Sequence, residues 1–319
     1  MSATVAERLV GTLYSGVVTE GPRVVEFERA LEPVLGRVLT TNSCTSAIWL
    51  ALKLAGVGPG DEVVSTPMTC VATNLPILHL GATIRWADID ASGRVTPETL
   101  GAAITPKTRA VVVVDWAGSP VPRPALDLPV IEDAAHAFGA PCEGDYVAYS
   151  FQAVKHLTTG DGGALRVPEP ERARRLRWFG MDRDLPLDKR TVAEPGFKFH
   201  MNDIAATIGL ANLPLARLNL GVHQSNAAYY AAELGLPFDA KGSYWVFTLM
   251  VRDKERFREQ MAARGIETGE LHYRNDAYAA FGGRCDLPGV ARFELHAISI
   301  PCGFWVDAER VVRAAKELR

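Results

Sequence analysis

Leu128-Pro129-Val130-Ile131-Glu132-Asp133-Ala134-Ala135-His136-Ala137-Phe138-Gly139 decides the fold. A short apolar run that starts at a proline and ends in two acids and small residues reads as a strand. In parallel α/β sheets ligands bind outside the carboxyl ends of the strands, so Asp133 stands where a functional carboxylate is expected. Aspartate is also favoured at strand-to-helix junctions, and position alone admits a helix cap equally.

Outward from this strand, residues 37–165 alternate short β-branched runs with helical segments, the pattern of a layered α/β unit with a mostly parallel sheet. Strands are expected at 38–41, 62–65, 83–87, 110–114, 129–131 and 147–150, and helices at 45–55, 70–79 and 96–104. Thr96-Pro97 opens the last of these, threonine as cap and proline at the first helical position. Helices follow at 169–179 and 202–218. The pattern then changes to a helix at 228–234, a strand at 244–251, a helix at 254–264 stopped by Gly265, a strand at 298–301 and a helix at 306–318. A boundary near residue 220 is expected, with a large domain over 1–219 and a smaller C-terminal α+β domain over 220–319.

The chain's 319 residues carry 34 Lys+Arg against 37 Asp+Glu, a formal charge of −3, and 48% are hydrophobic. That composition supports a packed core and excludes disorder as the main state. The absence of a basic excess argues against nucleic acid as a partner. No apolar run approaches the ~18–20 residues needed to span a bilayer, and the N-terminus carries Glu7 and Arg8 rather than a leader, so a cytoplasmic protein without a membrane partner is expected. The five cysteines are scattered without a Cys-x-x-Cys pair, and the histidines show no metal-binding spacing, so neither a disulfide framework nor a metal site is expected.

Two further segments carry chemistry. Tyr149-Ser150-Phe151-Gln152-Ala153-Val154-Lys155 runs into a turn with Gly160, Gly162 and Gly163, and glycines there let the chain approach a ligand closely. Lys155 so placed is a candidate nucleophile, able to form a Schiff base with an aldehyde if burial depresses its pKa; a surface lysine before a hairpin is the plain alternative. Thr41-Asn42-Ser43-Cys44-Thr45-Ser46-Ala47 lies between a strand and an apolar helix. Unpaired N–H donors at such a helix start attract phosphate, and ordinary capping accounts for the same residues. No Gly-x-Gly-x-x-Gly or Walker-type loop is present.

In order along the chain, these segments resemble the DegT-type, pyridoxal-phosphate-dependent sugar aminotransferases of the fold-type I superfamily. The resemblance rests on Gly21-Pro22 with Phe27-Glu28, Ser43–Ala47, Gly81-Ala82 with Asp88-Ile89-Asp90, and Glu132-Asp133-Ala134-Ala135-His136. It continues through Ser150, Lys155 and Gly160-Asp161-Gly162-Gly163, then Gly196–Ile204 and His272-Tyr273. It implies that Lys155 holds the pyridoxal 5'-phosphate covalently and then moves the substrate proton, with Asp133 pairing the pyridinium nitrogen. It implies that Ser150, Thr45 and Ser46 hold the phosphate, that His136 lies near the ring hydroxyl, and that His200 reaches the neighbouring subunit's phosphate in a homodimer with shared active sites. Cys70 occupies the position where the family commonly stacks an aromatic on the ring. The implied reaction takes an amino group from an amino acid, L-glutamate foremost, to a keto group of a nucleotide-linked deoxysugar. Amination of a non-nucleotide cyclic ketone and a catalytically silent protein of the same fold are the alternatives. A related dehydratase branch has histidine in place of the lysine, which makes His156, next to Lys155, worth locating.

Overall fold

A computed structural model describes residues 1–319. Seven strands form one sheet: β1 Leu39–Thr41, β2 Glu62–Ser65, β3 Thr83–Trp86, β4 Thr108–Val114, β5 Val130–Asp133, β6 Tyr146–Ser150 and β7 Gly163–Arg166. Their spatial order is β1-β7-β6-β5-β4-β2-β3. Pairing is parallel from β3 through to β6, and β7 alone runs antiparallel to both its neighbours. The expected mostly parallel α/β sheet is present. Strand β7 was not anticipated, being a four-residue piece beside glycines. It runs backwards because residues 151–162 form no helix and so supply no crossover.

The helices are α1 Val5–Tyr14, α2 Pro22–Leu35, α3 Cys44–Leu54, α4 Val71–His79, α5 Pro97–Ala103, α6 Pro170–Leu176, α7 Asp203–Leu234, α8 Lys254–Ala263, α9 Pro288–His296 and α10 Ala308–Leu318. A small antiparallel sheet pairs β8 Phe247–Met250 with β9 Ala297–Ile300. Alternation along the strands divides the core into layers. Tyr146 and Ala148 of β6 face α3 together with Ile131 and Leu165. Val147 and Tyr149 face the opposite side, against Phe27 and Leu31 of α2 and Ala206, Leu213 and Ala216 of α7. Thr96 caps α5 as expected, its hydroxyl accepting from Thr99 N–H at 3.3 Å while Thr99 Oγ1 accepts from Thr96 N–H at 2.9 Å.

The segments expected as separate helices at 202–218 and 228–234 are one 32-residue helix, α7. The apolar stripe pauses after Leu218, which suggested a break. His223, Ala227, Tyr230 and Ala231 continue the buried face at helical spacing, so the helix persists. Residue 220 therefore lies inside a helix. The N-terminal half of α7 packs on the large sheet, while Ala227, Tyr230 and Ala231 join Phe247, Leu249, Phe257 and Val311 in a second core. We propose 1–219 and 220–319 as a division between two cores that share this helix rather than a break in the chain. No helix is long and apolar enough to cross a membrane.

Candidate active site

The carboxyl ends of β4, β5 and β6 lie side by side, which brings the last residues of β5 and β6, Asp133 and Ser150, to one rim of the sheet. Asp133 shares a face with Ile131 and so points toward α3. Its Oδ2 accepts from Thr73 Oγ1 at 2.6 Å, and its Oδ1 accepts from Ala135 N–H at 3.1 Å and from the Cys44 thiol at 3.9 Å. Thr73 lies in the first turn of α4, with Thr69 Oγ1 2.8 Å from its hydroxyl. The loop before α4 is pinned by Asn275, whose N–H donates to the Pro67 carbonyl and whose Nδ2 donates to the Thr69 carbonyl, both at 2.7 Å. Burial raises the Asp133 pKa, and the Thr73 hydroxyl, the Ala135 amide, the Lys155 cation and the Cys44 thiol pull it back without cancelling the rise.

Lys155 sits on the loop after β6. That loop is closed by bonds from Phe151 N–H to Gly162 O and from Thr159 N–H to Phe151 O, each 2.9 Å. Gly162 is required there: its φ is 159°, and a Cβ would meet Thr159 Oγ1 at 2.4 Å and Met201 at 2.8 Å. Burial pushes the Lys155 amine from its ordinary 10.5 to about 8, against the pull of Asp133 toward the charged form. Its Nζ lies 3.7 Å from the centroid of the Trp245 ring.

A cavity of about 320 Å³ opens between these groups, and it is lined by Thr45, Cys70, Asp133, His136, Ser150 and Lys155, six of the eight residues singled out from the sequence. Ser46 is not among the lining residues: its hydroxyl donates to Asn42 Oδ1 at 2.7 Å and its N–H to Ser43 Oγ at 3.1 Å, so it serves the cap of α3. The amides of Cys44 and Thr45 at the same helix end have no acceptor within the chain. His200 also lies outside the cavity. It is buried against Trp178 at 4.4 Å, bridges backbone with Thr41, and is pushed by burial down to about 4. His156 turns away from the Asp133 cavity and toward His223, 4.6 Å off, and burial drives it to about 3; the lysine alone of this pair faces the acid.

Sequence reading missed Trp245 and Thr73. His136 is stacked between Trp245, with ring centroids 4.2 Å apart, and His272, 5.6 Å away, and burial holds it neutral at ordinary pH. Trp245 comes from the turn before β8, far along the chain, and no local pattern marks it. Thr73 was within reach, since it stands one turn into a helix that follows a strand end. On the other face of β5, Glu132, Asp115 and Cys142 form a wholly buried group whose oxygen and sulfur atoms lie within 4.8 Å of one another. Gly144 N–H donates to Glu132 Oε2 at 2.6 Å, and Val121 N–H donates to Asp115 Oδ1 at 2.9 Å. Glu132 Oε1 has no partner.

A model of the DegT/DnrJ/EryC1/StrS aminotransferase family matches residues 1–319. The chain is similar to the solved structure of AtS13 from Actinomadura melliaura, with 37% identity and a TM-score of 0.93 over 99% of this chain and 96% of that one. It is also similar to the sugar aminotransferase CalS13 from Micromonospora echinospora, with 35% identity and a TM-score of 0.92 over 99% and 97% of the two chains. Among curated proteins it resembles the spore coat polysaccharide biosynthesis protein SpsC of Bacillus subtilis, 37% identical over 237 residues, which span 65% of this chain and 60% of that relative.

Proposed function

We propose, from the premise that this chain belongs to the DegT/DnrJ/EryC1/StrS aminotransferase family, that it is a pyridoxal-phosphate-dependent sugar aminotransferase. It moves an amino group from an amino acid, L-glutamate foremost, to a keto group of a nucleotide-linked deoxysugar, releasing the 2-oxo acid and the amino sugar. One observation carries the reading: a buried lysine amine with a depressed pKa shares a cavity with a buried, donor-held carboxylate.

The cavity residues fit the cofactor. The two unaccepted amides at the start of α3 form an anion site, with the Thr45 and Ser150 side chains lining the same space. Asp133, at the end of a parallel strand, suits a protonated ring nitrogen, and Lys155 suits an aldehyde. When bound, pyridoxal phosphate supplies a carbonyl that condenses with amines and a ring that takes up the electrons freed as a C–H proton leaves.

The chain's own groups do the rest. Near neutral pH an amine that titrates at about 8 keeps a usable fraction unprotonated, which makes Lys155 Nζ both a nucleophile and an atom able to take and return a proton. Asp133 is held in one orientation by Thr73 and the Ala135 amide, so its charge faces the cavity before anything binds. Neutral His136 offers a hydrogen bond toward the ring hydroxyl without adding a second cation beside Lys155. His200 packs on Trp178 outside the cavity of its own chain, and its reach toward a partner's phosphate in a homodimer is part of this proposal.

The test is borohydride reduction of the protein loaded with pyridoxal phosphate, followed by peptide mapping. The expected result is the cofactor fixed on Lys155, and Lys155→Ala abolishing both the label and transamination while the circular dichroism stays unchanged. Labelling on another residue, or full activity in Lys155→Ala, overturns the assignment.

A further inference from the structure

The Asp133 cavity is not alone at Lys155. A second, larger space of about 750 Å³ lies on the other side and is bordered by His156, Asn212, His223, Phe304 and Trp305. Val154, Lys155 and Trp245 line both, so these three residues are the partition between them. A lysine on a partition has two spaces into which its flexible stem can swing.

We propose that Trp245 is a positioning residue that holds the Lys155 amine on the Asp133 side of this partition. Four contacts fix the indole. Its Nε1–H donates to the Val154 carbonyl, one residue before the lysine, at 2.8 Å. One face takes the Lys155 ammonium at 3.7 Å from the ring centroid. The ring stacks on His136 at 4.2 Å and 24°. The fourth contact holds its backbone, the Trp245 main-chain N–H donating to the Ala117 carbonyl at 2.9 Å. The preceding residue, Tyr244, has a φ of 48°, a conformation costly for a bulky side chain, and it is held there because its carbonyl accepts from His223 Nδ1 at 2.8 Å and from the Cys302 thiol at 2.9 Å. The chain thus spends backbone strain at the residue that aims the indole. Trp245 is also the aromatic that Cys70 is not: both line the Asp133 cavity, and Cys70 brings no ring to it.

The proposal rests on the reading of Lys155 as the reactive amine, and it can be tested without cofactor. In the apoprotein, the pH dependence of Lys155 labelling by trinitrobenzenesulfonate, read peptide by peptide, reports the amine's titration. The groups that face it are Asp133, Cys44, Cys70, His136, His156 and His272. The wild-type midpoint is expected near 8. Trp245→Leu keeps an apolar side chain there and removes the π face that favours the ammonium, so the midpoint falls by about half a unit to one unit, leaving roughly three- to fivefold more free amine at pH 7. Trp245→Phe restores most of that shift. Trp245→Ala admits water and moves the midpoint upward toward 10.5. Equal midpoints in all four proteins, or a phenylalanine variant indistinguishable from leucine, overturn the proposal.

Should the alanine variant fail to fold, indole fluorescence in the wild type reads the same contact. The Trp245 contribution, taken as the difference from Trp245→Phe, is expected to titrate with the lysine and to be flat in Lys155→Met; a flat wild-type signal is the contrary result. Failure of borohydride to trap the cofactor on Lys155 would instead sink the aminotransferase reading and leave the labelling result standing.

Discussion

Glu132 and Asp133 are neighbours on one strand and are both almost wholly buried, yet they sit in opposite chemical worlds. Asp133 meets a hydroxyl, an amide, a thiol and, across the cavity, a lysine cation. Glu132 meets another carboxyl, Asp115, and one of its oxygens has no partner. Burial raises the pKa of all three acids, so desolvation alone does not distinguish a site from a structural cluster. A countercharge and an opening do, since Glu132 and Asp115 also accept from backbone amides. Without a cation, two carboxyls this close share a proton and carry at most one charge between them.

The sharpest way to break this comparison is to neutralise each acid in turn. Asp133→Asn is expected to lower kcat by roughly 10²- to 10⁴-fold, the scale of losing a preorganised charge at the reacting group, while Glu132→Gln stays within about tenfold of wild type. Comparable losses in both would erase the distinction. Next comes Thr73→Val, which removes the 2.6 Å bond to Asp133. A charge-assisted bond contributes about 1.5–3 kcal/mol, so pyridoxal-phosphate affinity in a spectroscopic titration should fall roughly 10- to 100-fold with the fold intact.

The third effect appears in stability. Asp115 and Glu132 have folded pKa values raised above 3.8 and 4.5, so the folded state holds protons that the unfolded chain has already released. Their burial costs least at low pH, and its cost grows as pH climbs toward the folded values. As pH rises above the ordinary carboxyl range, Glu132→Gln should flatten that decline in denaturant titrations. The smallest effect belongs to the α3 cap. Ser43→Ala removes the acceptor for Ser46 N–H and should cost about 1 kcal/mol, seen as a lower denaturation midpoint.

Much of this arrangement was legible in the residues. Apolar strands, a capped helix at Thr96 and the order of chemical motifs led to the α/β sheet, and six of eight candidate side chains do line one cavity. Ser46 shows where the residues leave two roles open: a hydroxyl at a helix start can cap or bind, and in this fold it donates to Asn42 Oδ1. The break expected after Leu218 failed because a pause in an apolar stripe is compatible with a helix whose next turns are buried by a second core. His200 shows the same limit from another side: its motif marked it, and within its own chain it packs on Trp178 instead.

What the sequence by itself determined was periodicity and local chemistry: which runs are buried strands, where helices start, and which lysine and which acid stand beside turns. These are properties of neighbouring residues, set by backbone sterics and hydrogen bonding over a few positions. The tertiary structure alone decided that Trp245, from the turn before β8, would face Lys155 at 3.7 Å, and that Asp115 and Cys142 would gather around Glu132 behind the sheet. Contacts between segments about 90 residues apart depend on how whole layers pack, and no short pattern in either segment encodes them.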